Sequence, residues 1–377
     1  MLKDHARTPA DVHRDQLTTP PGVKVMFLGP GLDGGGAERV MRAWYRGLVG
    51  AGFECLMVAT DQSADSADPD VTVVPGGFLF GLKALAVRRR LRRFRPDVVF
   101  AAMPAWNLLA ILLARSLRGR GPRVVISLHT IAAISRKDLP FRQKVVQAAA
   151  ARLYRLADAC IAVSPAVAGE AVSHFKVRPE RLWVIPNPVL ETSGLAGVQA
   201  AGQTTDGVTL VLPARLVAHK RPHVILAVAD VLRGKGIPVD VLFIGDGPLR
   251  SELEQSAKDN DITATFRGWT DPWQTAAPAG SVLVLPSVVE GFGNVLVEAA
   301  SVGIPSVANA RALGVSAALV NGVTGVVVDD NSPEALAAGV LAAMNLSVPD
   351  VRDWLAQFRQ GSVTDHLVRM LRQVQHG

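Results

Sequence analysis

Two glutamates stand eight positions apart in a segment that passes from a glycine-rich loop into a predicted helix. The segment reads EGFGNVLVE from Glu290 to Glu298, and it follows a strand-like run at residues 282–285. Carboxylates accept hydrogen bonds from hydroxyl groups, free N–H groups at a helix start attract anions, and glycines let the backbone approach a ligand. The pattern therefore predicts a sugar-diphosphate site. The alternative is a glutamate favoured by the helix dipole, followed by a second one on the surface.

A cationic loop is the second candidate for chemistry. Arg215 and Lys220 lie just after the strand-like run at residues 208–212. If the strands are parallel, both cations lie at the same crevice as Glu290, where they would neutralise a leaving diphosphate. By itself the loop is ordinary, and it becomes informative only together with the acidic pair.

The third candidate is a glycine-rich stretch near the N-terminus. Residues 29–34 read GPGLDG, which is formally the GxGxxG spacing of a dinucleotide-binding turn, and Asp61 ends the next predicted strand. An NAD-dependent oxidoreductase is therefore an alternative. The glycines continue through Gly36, so the helix starts later than that fingerprint requires. Such a loop can also hold a phosphate, or it can be only a tight turn.

The elements that would position these residues form two series of alternating strand-like and helical patterns. A chain of 377 residues is also too long for one core, because cores stop growing near ~250–300 residues. We therefore predict an α/β fold with two tandem Rossmann-like, doubly wound domains and a cleft between them. The predicted strands are at residues 23–28, 54–60, 71–74, 97–101, 123–128 and 159–163, then 208–212, 239–244, 263–266, 282–285, 306–308 and 325–328.

The predicted organisation has five parts. They are a disordered or extended tail at residues 1–22, an N-terminal domain at 23–190, a linker at 191–207, a C-terminal domain at 208–350, and C-terminal helices at 351–377 that pack back toward the N-terminal domain. The tail mixes charges with prolines and has no apolar stretch, and no run in the chain has the length and hydrophobicity of a transmembrane span. A cytoplasmic location is expected.

The basic residues are concentrated in the first half of the chain. The first 192 residues contain 27 lysines and arginines against 16 aspartates and glutamates. Such clusters suit anionic lipid headgroups, nucleic acid or a phosphorylated acceptor, and a solvated helix face is the equal alternative. Nucleic acid is disfavoured because only 5% of residues are aromatic. The residues assigned to acceptor or membrane contact are Arg88, Arg89, Arg92, Arg93, Arg136 and Lys137.

Over residues 23–345 the chain resembles the retaining GT-B glycosyltransferases of family 4. The hallmark is the E-x7-E segment from Glu290 to Glu298. The supporting motifs are ARLVAHK, IGDGP, FRGW and NGVTGVVV in the second half, and GGGAERV, SLHT, AVSPAV and VIPNPV in the first half. After Ala308 the family has a paired glycine followed by a proline and an acid, whereas this chain has Ala312-Leu313-Gly314-Val315-Ser316. This difference leaves the contacts from that loop open.

The resemblance implies that the C-terminal domain binds a nucleotide-sugar donor and the N-terminal domain the acceptor. Glu298 would bind the ribose hydroxyls, Glu290 would face the donor sugar, and Arg215 and Lys220 would hold the diphosphate. His129 would orient the sugar hydroxyls. The remaining donor-binding positions it implies are Gly291, Phe292, Gly293, Asn294, Val295, Gly34, Gly35, Gly245 and Gly268.

In the mechanism that the resemblance implies, the leaving phosphate takes the acceptor's proton, so no separate base is needed. Cations of the protein replace a metal, and we expect no cofactor. Asp68-Pro69-Asp70 imitates the metal-binding acid pair of another glycosyltransferase class, but no further ligands accompany it.

The expected reaction is retaining transfer of a hexosyl or N-acetylhexosaminyl unit, from a UDP-sugar rather than a GDP-sugar, to a lipid-linked or cell-envelope saccharide. Peripheral contact with the anionic inner face of the plasma membrane is part of this expectation. Glycosylation of a small natural product is an alternative. From other classes, an NAD-dependent oxidoreductase and a nucleotide-sugar epimerase or hydrolase stay open.

Overall fold

The computed structural model describes residues 22–29, 35–59, 71–74, 80–117, 121–132, 140–191 and 207–376. Several predictions fall outside these ranges. They concern Gly34, Asp61, Asp68, Asp70, Arg136, Lys137, the tail before residue 22 and most of the predicted linker.

The first sheet contains seven parallel strands in the order β3-β2-β1-β4-β5-β6-β7. Six of them match the predicted strands within a residue or two at each end. The seventh, β7, was not predicted, because it has three residues and none of them is fully buried. The strands are β1 (Lys24–Gly29), β2 (Glu54–Ala59), β3 (Val71–Val73), β4 (Val98–Ala102), β5 (Arg123–Leu128), β6 (Ala159–Ala162) and β7 (Leu182–Val184).

Helices cover both faces of this sheet, because each face buries an apolar layer. Trp44 and Leu48 lie in the layer on one face, and Leu91 and Tyr154 lie in the layer on the other. The helices are α1 (Gly36–Gly50), α2 (Phe80–Phe94), α3 (Pro104–Arg115), α4 (Phe141–Leu153) and α5 (Pro165–Ser173).

The second sheet contains six parallel strands in the order β10-β9-β8-β11-β12-β13. Both sheets have the βαβ organisation that the alternating pattern predicted. The strands are β8 (Val208–Pro213), β9 (Val239–Ile244), β10 (Ala264–Phe266), β11 (Ser281–Leu285), β12 (Ser306–Asn309) and β13 (Gly325–Val328). The helices are α6 (His223–Arg233), α7 (Arg250–Asp259), α8 (Asn294–Ser301) and α9 (Pro333–Met344).

Two further helices, α10 (Arg352–Leu355) and α11 (Gln360–His376), follow the second sheet. C-terminal helices were predicted for residues 351–377, and Arg359, which has extended backbone angles, separates the two helices that form. Leu367 and Leu371 of α11 join the apolar layer around Trp44, and the Gln360 side chain donates to the Ala43 carbonyl oxygen over 2.8 Å. The chain thus returns to the first sheet. None of the described helices is long and apolar enough to cross a membrane.

Candidate active site

An ion pair joins the acidic and the cationic loop. Lys220 Nζ donates to Glu290 Oε1 over 2.6 Å, and the two side chains are only 21% and 11% exposed. Lys220 lies in a 3-10 turn shortly after β8, and Glu290 lies in the loop after the neighbouring strand β11. Because the strands are parallel and adjacent, their carboxyl ends bring together two residues that are 70 positions apart. Arg215 is exposed in the loop of Lys220.

The loop after Glu290 is tightly packed between backbone segments. A Cβ atom at Gly291 would collide with the carbonyl oxygen of His129, which directly follows β5 of the first sheet. Gly293 has a φ of 95°, a left-handed conformation that favours glycine, and α8 starts directly after it. Phe292 is buried and packs edge-on against Phe358, with ring centroids 5.6 Å apart. The glycines are thus required by close approach as well as by conformation.

The divergent loop at residues 312–316 supports the same backbone. Gly314 N–H donates to the Glu290 carbonyl oxygen over 3.2 Å, and a Cβ atom at Gly314 would collide with that oxygen. The loop therefore helps to fix the position of Glu290.

Glu298 lies in α8, partly buried, and accepts a hydrogen bond from Trp273. The indole Nε1 donates to Oε2 over 2.6 Å, and Trp273 itself is buried. Burial raises the pKa of Glu298, while the Trp273 hydrogen bond and the charge of Arg39 in α1 lower the pKa and Asp271 raises it. The carboxylate thus has one fixed indole partner and a cation opposite it on the first domain.

His129 follows β5 and is held as a neutral imidazole. The Ser127 hydroxyl donates its hydrogen to the Ala101 carbonyl oxygen over 3.0 Å. Ser127 Oγ therefore acts as the acceptor for His129 Nε2, which lies 3.0 Å away. Burial lowers the pKa of His129 to about 4, and its ring lies 5.6 Å from that of Trp44. Nδ1 is buried and has no hydrogen-bond partner among the described residues. The lone pair of Nδ1 is therefore enclosed by protein atoms and not open to solvent.

Two glycine turns border the cationic loop. Gly245 N–H donates to the Gly268 carbonyl oxygen over 2.7 Å, which joins the ends of β9 and β10. Gly245 has a φ of 140°, and a Cβ atom there would collide with the Ala214 carbonyl oxygen next to Arg215. Gly268, with a φ of 71°, has open space around it.

The start of α8 also contacts the end of the first domain. Asn187 Nδ2 donates to Asn294 Oδ1 over 2.8 Å, and Asn187 is buried. Val295 is the next residue of α8 and is partly buried. On the opposite domain, Gly35 precedes α1 in an extended conformation, without a side-chain cap.

The arginine cluster occupies a different place, on α2. Arg89, Arg92 and Arg93 are exposed and Arg88 is partly buried. No described hydrogen bond or ion pair joins these arginines to Glu290 or Glu298. The structure thus pairs Lys220 with Glu290 and places Gly291 against His129, whereas the arginines of α2 have no described bond to this site.

Sequence reasoning missed three residues of the site: Trp273, Asn187 and Arg39. Trp273 lies five residues after Gly268 in a segment without a recognised motif, and Asn187 lies in the VIPNPV motif without an assigned role. Arg39 lies in GGGAERV, where charge at a helix start was visible but its partner was not. In the part of the chain that the structure describes, no group of three or more His, Cys, Asp or Glu side chains could hold a metal ion.

Two family models match consecutive parts of the chain. Glycosyltransferase Family 4 matches residues 34–190, and Glycosyl transferases group 1 matches residues 199–358. A D-inositol 3-phosphate glycosyltransferase from Pseudarthrobacter chlorophenolicus is 26% identical over an alignment of 341 residues, and the match covers 79% of each chain. Sulfoquinovosyl transferase from Arabidopsis thaliana is 27% identical over an alignment of 238 residues, and the match covers 60% of this chain and 44% of that protein.

Solved structures share the fold. Sucrose-phosphate synthase from Thermosynechococcus elongatus superposes with a TM-score of 0.76 at 17% identity, covering 93% of this chain and 98% of that one. The Anabaena protein HepE in complex with UDP and glucose has a TM-score of 0.74 at 20% identity, covering 93% and 100%. The two family models together match most of the chain, and the fold has the two Rossmann-like domains expected of this family. The chain is therefore a GT-B glycosyltransferase of family 4, a hexosyltransferase.

Proposed function

We propose that this enzyme transfers a hexosyl or N-acetylhexosaminyl unit from a nucleotide sugar, with UDP favoured over GDP, to an acceptor hydroxyl, with retention of the anomeric configuration. The acceptor is a lipid-linked or cell-envelope saccharide bound by the N-terminal domain. The Lys220–Glu290 ion pair carries this proposal, because it places a cation and a carboxylate together at the carboxyl ends of β8 and β11. HepE, a relative in fold, binds UDP and glucose, which supports the donor class.

Each side chain of the site has a role in the proposed reaction. Lys220 and Arg215 stabilise the negative charge on the leaving diphosphate, together with the free N–H groups at the start of α8. Glu290 faces the sugar, and His129 orients the sugar hydroxyls. Because His129 stays neutral near pH 7, it does not act as a general acid.

The leaving phosphate is the proposed base. As the glycosidic C–O bond breaks, the phosphate oxygen gains charge and takes the proton of the acceptor hydroxyl, which attacks the same face of the sugar. The step needs no metal, because Arg215 and Lys220 supply the positive charge. Adding EDTA is expected to leave the rate unchanged, and a loss of activity that Mg²⁺ or Mn²⁺ restores would contradict this part of the proposal.

The donor is tested by thermal unfolding with a panel of nucleotides and nucleotide sugars. UDP species are expected to raise the melting temperature, and Glu298→Ala is expected to weaken the effect. Exposed Glu180 provides the matched control, and Glu180→Ala is expected to respond like the wild type. Stabilisation by NAD(H) alone, insensitive to Glu298→Ala, would instead support the oxidoreductase.

The stereochemical course is tested separately, with a donor of the α configuration. Proton NMR of the early product is expected to show the α linkage. A β-linked product would contradict the retaining mechanism and leave the donor site standing.

We also propose that α2 contacts an anionic membrane surface. Leu82, Leu85, Arg89, Arg92 and Arg93 are exposed. Successive steps of three or four residues lead from Leu82 to Arg89 and from Arg89 to both Arg92 and Arg93, which places all five on one side of the helix. Apolar residues beside arginines suit the headgroup region of an anionic leaflet.

Vesicle sedimentation tests this contact. Each arginine near an anionic surface contributes about 1 kcal/mol, so the Arg89→Ala/Arg92→Ala variant is expected to bind such vesicles roughly thirtyfold more weakly at low salt. Lys235→Ala, which removes an exposed cation of the C-terminal domain, is the control and should bind like the wild type. Failure of the wild type to sediment with anionic vesicles would refute the proposal.

A further inference from the structure

Trp273 is buried beside the second glutamate of the E-x7-E segment. It starts a 3-10 turn, Trp273–Ala276, in the loop between β10 and β11, and its indole N–H donates to Glu298 Oε2 over 2.6 Å. Trp273 is 5% exposed, so the indole has little freedom to move away from the carboxylate. Indole has a single polar hydrogen and no acceptor, and here that hydrogen points at Glu298.

We propose that Trp273 is a positioning residue for the donor, which fixes the Glu298 carboxylate so that Oε1 and the remaining lone pair of Oε2 accept from the ribose hydroxyls. The inference rests on the proposed function, because it assigns the ribose to Glu298. Trp273 does not itself contact the reacting atoms. It acts through Glu298.

The physical reason is preorganisation. A glutamate side chain has several rotatable bonds, and fixing them upon ligand binding costs side-chain entropy. The indole N–H restricts the carboxylate before the nucleotide arrives, so less entropy is lost upon binding. Each carboxylate oxygen has two lone pairs, so the indole occupies one of four acceptor sites and leaves three for hydroxyls.

The same hydrogen bond helps to keep Glu298 ionised. Burial raises the pKa of Glu298, and Asp271 in the Trp273 loop raises it as well. Two groups lower the pKa, namely the Trp273 N–H and the guanidinium of Arg39 in α1. Removing the indole N–H therefore raises the pKa of Glu298 further. On acidification, nucleotide binding would then begin to weaken at a higher pH than in the wild type.

The test compares Trp273→Phe, which keeps an aromatic ring and removes the donor, with Trp183→Phe in β7 as the control. Calorimetry measures the affinities for UDP and for 2′,3′-dideoxy-UDP, which lacks the ribose hydroxyls, between pH 8 and pH 5.5. Trp273→Phe is expected to bind UDP about tenfold more weakly, the order expected when one glutamate side chain must be ordered upon binding. It is expected to bind dideoxy-UDP like the wild type. Its UDP affinity should also fall at a higher pH than that of the wild type.

The outcomes separate this inference from the proposed function. If Trp273→Phe binds UDP like the wild type while Glu298→Gln is weakened, the role of Trp273 is refuted and the donor site stands. An equal loss for UDP and dideoxy-UDP would also refute it, since that is the result of a merely structural role. If the wild type binds neither UDP nor GDP, or Glu298→Gln binds them normally, the proposed donor site itself fails.

NMR of the folded wild type keeps the test decisive if Trp273→Phe does not fold. The chain has six tryptophans, and one indole N–H resonance is expected to titrate with Glu298 and to shift in Glu298→Gln. A spectrum in which no indole resonance differs between the wild type and Glu298→Gln would overturn the proposal.

Discussion

The Lys220–Glu290 ion pair is open to a double-mutant cycle. Lys220→Met and Glu290→Gln remove one charge each with little change of shape, and the double variant removes both. Nζ and Oε1 are 2.6 Å apart and both side chains are mostly shielded from water. At an effective dielectric constant near 20 the attraction of charges this close is about 6 kcal/mol, and desolvation of the two ions offsets most of it. A net coupling of about 2 kcal/mol is therefore expected.

The stability losses of the two single variants should together exceed the loss of the double variant. Each leaves one charge partly buried without its partner, at a cost of about 2–3 kcal/mol after allowance for the residual exposure. In domains of this size a change of 1 kcal/mol shifts the melting temperature by roughly 2–4 °C. Each single variant should therefore melt about 4–12 °C lower, and the double variant should lose about 2 kcal/mol less than the two single losses together. The assay is thermal unfolding without nucleotide, with Lys235→Met as the control for removal of an exposed lysine.

Enzyme activity tests the role of Lys220 in catalysis. Lys220→Met removes a cation from the leaving diphosphate and should lower kcat about 10²–10³-fold, the range seen when one stabilising donor is lost. Stability changes that add within about 0.5 kcal/mol would show that the two charges do not interact, because independent sites add to that precision. Such additivity would refute the argument from the ion pair.

Two further predictions concern the packing and protonation of the site. Gly291→Ala forces a methyl group against the His129 carbonyl oxygen, so thermal unfolding should show a loss of about 1–3 kcal/mol, whereas Gly169→Ala, exposed in α5 with open space around it, should be neutral or slightly stabilising. An equal melting temperature for Gly291→Ala and the wild type would contradict the close approach. The pKa of His129 is about 4 in the folded protein and 6.5 as the ordinary value, so the unfolded chain binds more protons below pH 6.5. The contribution of neutral His129 to stability is therefore full above pH 6.5 and falls by about 3 kcal/mol towards pH 4. Denaturant unfolding of His129→Gln should lack this part of the acid loss, and an identical pH dependence in both proteins would refute the buried neutral histidine.

The strands and the family motifs follow from local sequence. The runs at residues 239–244 and 325–328 coincide with β9 and β13, because a buried parallel strand needs a short β-branched apolar run between turn residues. Glu290 and Glu298 were identified because their spacing lies within one loop and the following helix. The short edge strand β7 was missed because partial burial leaves little pattern to read.

The partners of the site residues were decided by the tertiary structure. Trp273 reaches Glu298 across 25 positions and Asn187 reaches Asn294 across 107, and neither pair leaves a periodic signal in the sequence. The divergent loop showed only a departure from the family pattern, whereas the fold places Gly314 against the Glu290 carbonyl oxygen. Local sequence thus determined the type and order of the elements, because hydrophobic periodicity acts between near neighbours. Only packing decided which side chains meet, because hydrogen bonds and burial depend on groups that the folded chain brings together from distant positions.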